Sequence, residues 1–271
     1  MKSALVLSTH AAQFNAVALK GDLETNVAKI ASWGYQGVEL AIRDPSLVDA
    51  AQLQALAERH GLGVPAIGTG QAWGEEGLSY TDADPAVRRA AIARTIAHVP
   101  VAGRLGALII IGLLRGIVRP EVERARAYAW MVEALRECCR AAEGEGVRLA
   151  LEPLNRYETT LVNTVQEGLD LIAEVGAPNL GLLLDTFHMN IEEPSIEGSI
   201  AACGPHILHF HLADSNRHYP GAGHLDFRSI VAALERTGYS GWLSGEFMPL
   251  PDADTAGRRA IAHLRSLGIV A

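Results

Sequence analysis

The sequence predicts a single (β/α)8 barrel, one domain over residues 1–271, and three observations predict it. Eight short apolar runs alternate with longer amphipathic ones. Each run is apolar almost throughout, as strands buried on both faces are. No Pro/Ser-rich linker or compositional break interrupts the alternation, and the length suits one barrel. The candidate strands are ALVLS (4–8), QGVEL (36–40), GVPAIG (63–68), GALIII (106–111), VRLALE (147–152), LGLLLD (180–185), HILHFH (206–211) and GWLSGE (241–246). The helical patterns between them include PEVERARAYAWMVEALRECCRAAEGEG, with Pro120 near its start and glycine at its close. In DFRSIVAALERTG, Asp226 is expected to cap the helix that it opens rather than to act as an acid. GTGQAWG, after the third strand, has its glycines misspaced for a dinucleotide-binding turn, so it is expected to be a plain turn and no organic cofactor is expected.

Composition narrows the function. A net charge of −8 without a basic stripe argues against nucleic acid as a partner. The longest apolar run, LGALIIIGLL, is about half of what a membrane span needs, and the N-terminal residues lack the pattern of a targeting segment. A soluble, cytoplasmic protein is expected, with no membrane partner. Cys138, Cys139 and Cys203 form no C-x-x-C pair and read as reduced packing residues.

The active site of such a barrel lies at the carboxyl ends of its strands. Four consecutive candidate strands end in Glu152, Asp185, His211 and Glu246, separated by 33, 26 and 35 residues, each about one βα unit. Strand alternation turns Glu152 and Ala150 inward and Leu149 and Leu151 outward, and Leu183 shares the face of Asp185. Three carboxylates and an imidazole at one point repel unless a cation stands among them. Oxygen donors with one imidazole suit a divalent ion such as Mn²⁺, Mg²⁺ or Co²⁺ better than a thiolate-type zinc site.

The motifs LEPLNRYET, LLLDTFHMNIEE, HFHLADSNRHYPGAGHLDF and GEF resemble the sugar isomerase and epimerase superfamily of xylose-isomerase-like barrels, most of all the branch of tagatose and keto-gluconate epimerases. The resemblance implies an epimerase acting at C3 of a ketose or keto-sugar acid. It implies Glu152, Asp185, His211 and Glu246 as ligands of a metal, Mn²⁺ foremost, with Glu152 and Glu246 also the acid/base pair. It implies Glu158, His188 and Arg217 as substrate contacts near the carbonyl, and a homodimer or homotetramer. The chemistry is coherent without the family. Inverting a carbon beside a ketone requires removing a proton from one face and returning one to the other, through an enediolate whose charge a metal stabilises.

Secondary residues are expected as follows. Arg115, just beyond the fourth strand, would pair with a terminal carboxylate of a keto-uronate, and Arg43 could assist unless Asp44 holds it. His209 is expected to be a buried, hydrogen-bonded histidine rather than a fifth ligand. For Glu39, support of the metal ligands and an internal ion pair both fit. Trp73 could wall the pocket. Two other activities compete with C3 epimerisation: aldose–ketose isomerisation through the same enediolate, and metal-dependent phosphodiester hydrolysis. The latter would require histidine ligands on early strands and a basic face.

Overall fold

Strands buried on both faces have no stable edge to offer water, and in the computed structural model, which describes residues 1–270, they close on themselves. The barrel strands are β1 (Lys2–Ser8), β2 (Gly37–Ala41), β3 (Ala66–Gly68), β4 (Leu108–Ile111), β5 (Leu149–Leu151), β6 (Leu180–Asp185), β7 (Ile207–Leu212) and β8 (Trp242–Gly245). All pair in parallel in chain order, and β1 pairs with β8 to complete the circle. A two-residue strand, Leu19–Lys20, adds to the outer end of β1 and was not expected from the sequence. β6 has the predicted bounds, β2 and β7 the predicted length and β1 two residues more. By contrast, β3, β4, β5 and β8 are shorter than the apolar runs that predict them, mostly at the end away from the mouth.

The helices are α1 (Leu23–Trp33), α2 (Ala50–Arg59), α3 (Gln71–Glu76), α4 (Pro85–Leu105), α5 (Arg124–Glu143), α6 (Val165–Val175), α7 (Thr186–Glu192), α8 (Ile196–Cys203), α9 (Phe227–Arg236) and α10 (Ala253–Ser266). Pro120 lies before α5, whose first residue is Arg124, so the expected proline start is corrected. GTGQAWG is not a plain turn either: Gln71 to Glu76 form α3 directly after β3. Asp226 caps α9, accepting from the backbone N–H groups of Arg228 and Ser229. The three cysteines are free and buried.

The core has two layers. Leu149 and Leu151 join the large apolar shell between strands and helices, whereas Ala66, Leu108, Ile110, Ala150 and Leu183 form a separate cluster inside the barrel. That inner cluster is the floor on which the polar mouth stands. A register shift between Leu182 and Leu183 pairs Leu183 with His209 and Asp185 with His211. The bulge leaves Leu208 packed on the inner floor while His209 and His211 above it also face inward. Gly181 is required there, since a Cβ would stand 2.5 Å from Leu208 Cγ.

Candidate active site

Glu152, Asp185, His211 and Glu246 converge at the carboxyl end of the barrel, each offering one atom, all within 4.8 Å of one another. Glu152 and Glu246 lie one residue past their strands, yet each still donates its backbone N–H to the neighbouring strand, to Ile111 O and Leu212 O. The ladder therefore aims these side chains inward as it does the strand residues.

His211 is the centre of the set. Its Nδ1 is 3.7 Å from Glu152 Oε1 and 3.8 Å from both Asp185 Oδ2 and Glu246 Oε2. Its Nε2 faces Glu39, 3.0 Å from Oε1. A carboxylate only accepts, so Nε2 carries a proton and Nδ1 is left for the three carboxylates. Nδ1 and Glu152 Oε1 are buried and lack any hydrogen-bond partner. Positive charge is what this corner requires. Without an ion the site draws in protons instead. Burial alone would lower His211, but Glu39 and Glu246 drive it up to about 10. Burial raises Glu152 well above the carboxylate range and pushes Glu246 up to about 7, although Arg217 and His211 oppose the rise. Burial would also raise Asp185, yet Arg217, His188 and His211 hold it below its ordinary value. The donor set, three carboxylates and one imidazole, fits a divalent cation, Mn²⁺, Mg²⁺ or Co²⁺.

Arg217 is fixed beside this cluster. Its Nη1 donates to Asp185 Oδ2 at 2.9 Å, its Nη2 donates to Glu246 Oε2, and the guanidinium lies 4.7 Å from the centre of the Phe187 ring. Its backbone adopts φ 61°, a left-handed conformation that costs a non-glycine residue on the order of 1–3 kcal/mol. Arg217 N–H to Asp214 O and Met248 N–H to Arg217 O, both 2.9 Å, hold it there. His188, in the first turn of α7, accepts from Asn155 Nδ2 at 2.8 Å and Asn155 N at 3.3 Å through Nδ1. Its proton is therefore on Nε2, which faces the site 3.8 Å from Glu152 Oε1. Burial pushes His188 down to about 3, so it is a neutral donor. Asn155 Nδ2 also donates to Glu158 Oε1 at 2.9 Å.

These side chains open on a cavity of about 450 Å³, within the ~300–1,000 Å³ of small-molecule sites. Glu158, His188 and Arg217 line it, and so does Trp73, carried by α3. Sequence reasoning missed Gln13, Phe14 and Asn15, on the loop after β1, and Met248 after β8. No local pattern marks these residues, whereas Phe187 and Asn155 lie inside the motifs LLLDTFHMNIEE and LEPLNRYET and could have been found there.

Arg115 is a correction. It does not line the cavity: the side chain is fully buried, and Nε and Nη2 donate to Leu161 O at 3.0 Å and Val162 O at 3.1 Å while Nη1 donates to Glu152 O. Glu152, Leu161 and Val162, at the two ends of the irregular segment 152–162, are buried, and carbonyls there need donors that a strand would otherwise provide. Arg43 is likewise turned aside, held by Glu75 at 2.7 Å and Glu76 at 3.2 Å, while Asp44 pairs with Arg94 rather than with it. Arg115→Ala should destabilise the fold by about 3–5 kcal/mol by leaving the Glu152 and Leu161 carbonyls unpaired around a cavity, while Val162 O keeps the Leu154 N–H. Urea unfolding of the variant measures this, and an unchanged midpoint would contradict the account.

The sequence matches the xylose isomerase-like TIM barrel family over residues 27–267. The chain belongs to that family. It is similar to the D-psicose 3-epimerase of Ruminiclostridium cellulolyticum, 34% identical over 82% of this chain and 77% of the relative. The L-ribulose 3-epimerase of Methylomonas sp. is 33% identical over 81% of this chain and 76% of the relative. Among solved structures, the D-psicose 3-epimerase of Clostridium cellulolyticum with D-tagatose superposes with a TM-score of 0.84 at 26% identity, covering 100% of both chains. These similarities put this xylose isomerase-like barrel among the isomerase-class enzymes. Among the described residues no helix is long and apolar enough to cross a membrane.

Proposed function

We propose that this barrel is a divalent-metal-dependent ketose 3-epimerase, with Mn²⁺ as its best ion. The observation that carries the reading is the unpartnered His211 Nδ1 facing three buried carboxylates. Glu152, Asp185, His211 and Glu246 would hold the ion. When bound, it supplies positive charge that stabilises the oxyanion developing at the substrate carbonyl. Glu152 and Glu246 come from the two outer strands of the four-strand set and serve the two faces of the sugar: one carboxylate takes the C3 proton, and the other's carboxyl returns a proton to the opposite face. The neutral Nε2–H of His188 donates to a substrate oxygen beside Glu152. Arg217 keeps Asp185 and Glu246 apart from each other's charge and orients them, and Glu158 accepts from a substrate hydroxyl.

The charges of the cavity support a neutral ketose over a keto-uronate as the substrate class. Among its lining residues Arg217 is the only Lys or Arg, and Asp185 and Glu246 already hold its guanidinium. A terminal carboxylate would enter without a partner. With Mn²⁺ added, a panel of ketoses and keto-uronates in D₂O, read by NMR, tests both points. Deuterium at C3 and higher kcat/KM on neutral ketoses are expected. Deuterium at C1 or C2 with aldose product would assign an aldose–ketose isomerase, and a preference for keto-uronates would overturn the substrate class. We further expect one barrel domain working in the cytoplasm as a dimer or tetramer, which sedimentation of the purified chain can read.

A further inference from the structure

Beneath the proposed metal site lies a second cluster: Glu39, His209 and His211, each only 1% exposed. Glu39 comes from β2, separated by β1 and β8 from β7, which carries both histidines. Its carboxylate bridges the two rings. His209 Nε2 is 2.7 Å from Oε2, and His211 Nε2 is 3.0 Å from Oε1 and 3.2 Å from Oε2. The rings meet edge to face at 5.3 Å, so neither can rotate without disturbing the other.

These three residues are themselves close enough to hold a metal ion. The chemistry of His211 argues against that occupancy. Its Nδ1 faces the three outer carboxylates, so an inner ion on Nε2 as well would require an imidazolate. As hydrogen bonds, all three distances are ordinary, and the pattern has one solution: a carboxylate accepting from two Nε2–H donors. A buried carboxylate is thereby partnered on both oxygens, and His211 is left with its Nδ1 lone pair aimed at the outer site.

We infer that Glu39 is a positioning residue that fixes the tautomer and angle of His211 for metal binding, and that His209 holds Glu39 in place. The inference rests on the metal-binding reading above. A glutamine at 39 has one accepting oxygen and one NH₂ group, so with its oxygen at the Oε2 position, which both rings reach, the NH₂ group stands 3.0 Å from His211 Nε2. The ring facing the NH₂ group must offer it a lone pair, which on His211 moves the proton to Nδ1 and into the ion's place.

The test uses the full chain stripped of metal and titrated with Mn²⁺, with free ion read by electron paramagnetic resonance. Glu39→Gln should weaken Mn²⁺ binding by about 10- to 100-fold. His209→Leu should weaken it in the same direction, and His209→Gln, whose amide N–H can still donate to Glu39, should recover most of the loss. ¹⁵N spectra of the Mg²⁺-loaded wild type should show His211 protonated at Nε2. Unchanged affinity in Glu39→Gln would overturn the inference, as would two ions per wild-type chain falling to one in that variant. Should Glu39→Gln fail to fold, the His209 pair decides: equal affinity of His209→Leu and wild type overturns it. A wild type that binds no Mn²⁺ removes the metal reading itself, an outcome distinct from wild type and variant binding alike.

Discussion

Glu152→Gln and Glu246→Gln are each expected to lower kcat by about 10²–10⁴-fold, the usual worth of a positioned proton-transfer group. The amide keeps the volume and one oxygen donor but can neither take nor return a proton. Both side chains also face His211 Nδ1, so the variants must be assayed with Mn²⁺ saturating and its content measured, which separates lost chemistry from lost ion. A sharper outcome follows from the two-face geometry. If each carboxylate serves one face, a single variant should still exchange the C3 proton of one epimer with solvent deuterium while failing to invert it. The other variant should do so for the other epimer. Near wild-type turnover in either variant would sink the two-carboxylate scheme, and identical exchange in both would show that one residue serves both faces.

Removal of metal is the second large effect. Exhaustive chelation should abolish epimerisation, and Mn²⁺ should restore it. The ion should also raise the unfolding free energy by about 2.7 kcal/mol at a hundredfold excess over Kd, which thermal unfolding reads independently of activity. Binding should weaken as pH falls. Without the ion, Glu246 titrates near 7 and His211 near 10, the first raised by burial and the second by Glu39 and Glu246 against burial. Below pH 7 both carry protons that a metal must displace, so each displaced proton costs about tenfold in apparent affinity per pH unit. Calorimetry at pH 6 and pH 8, in buffers of different ionisation enthalpy, counts the protons released. Activity that survives chelation, with no metal by elemental analysis, would refute the metal dependence.

Much of this was legible along the chain because it is local. Period-two alternation turns Leu149 and Leu151 out and Ala150 and Glu152 in, and the structure sorts Leu149, Leu151 and Ala150 into the outer shell and inner floor accordingly. Spacings of one βα unit place Glu152, Asp185, His211 and Glu246 on adjacent strand ends, and their donor atoms do meet. Element ends were less legible. A glycine-rich heptapeptide reads as a turn, but α3 forms there because Gly70 and Gly77 bound a helix that closes over the mouth.

Charged residues divide the two kinds of information. A strand-end carboxylate has its direction set by the pleat, so sequence alone determined the barrel, its family and the metal-type cluster. A loop arginine has no such constraint. Arg115 follows β4 at the mouth side, where sequence makes a substrate carboxylate its natural partner. The tertiary structure gives it three backbone carbonyls of segment 152–162 instead, a partner set assembled from residues 37 to 47 positions away. Glu39 is the same case. Two roles fit it in one dimension, and only closure of the barrel through the β1–β8 pairing, which brings β2 within reach of β7 and joins residues 170 and 172 positions apart, selects its bridge between two imidazoles. Burying a charge is tolerable only where donors or opposite charges converge on it, and that convergence is a property of the closed fold, not of any stretch of chain.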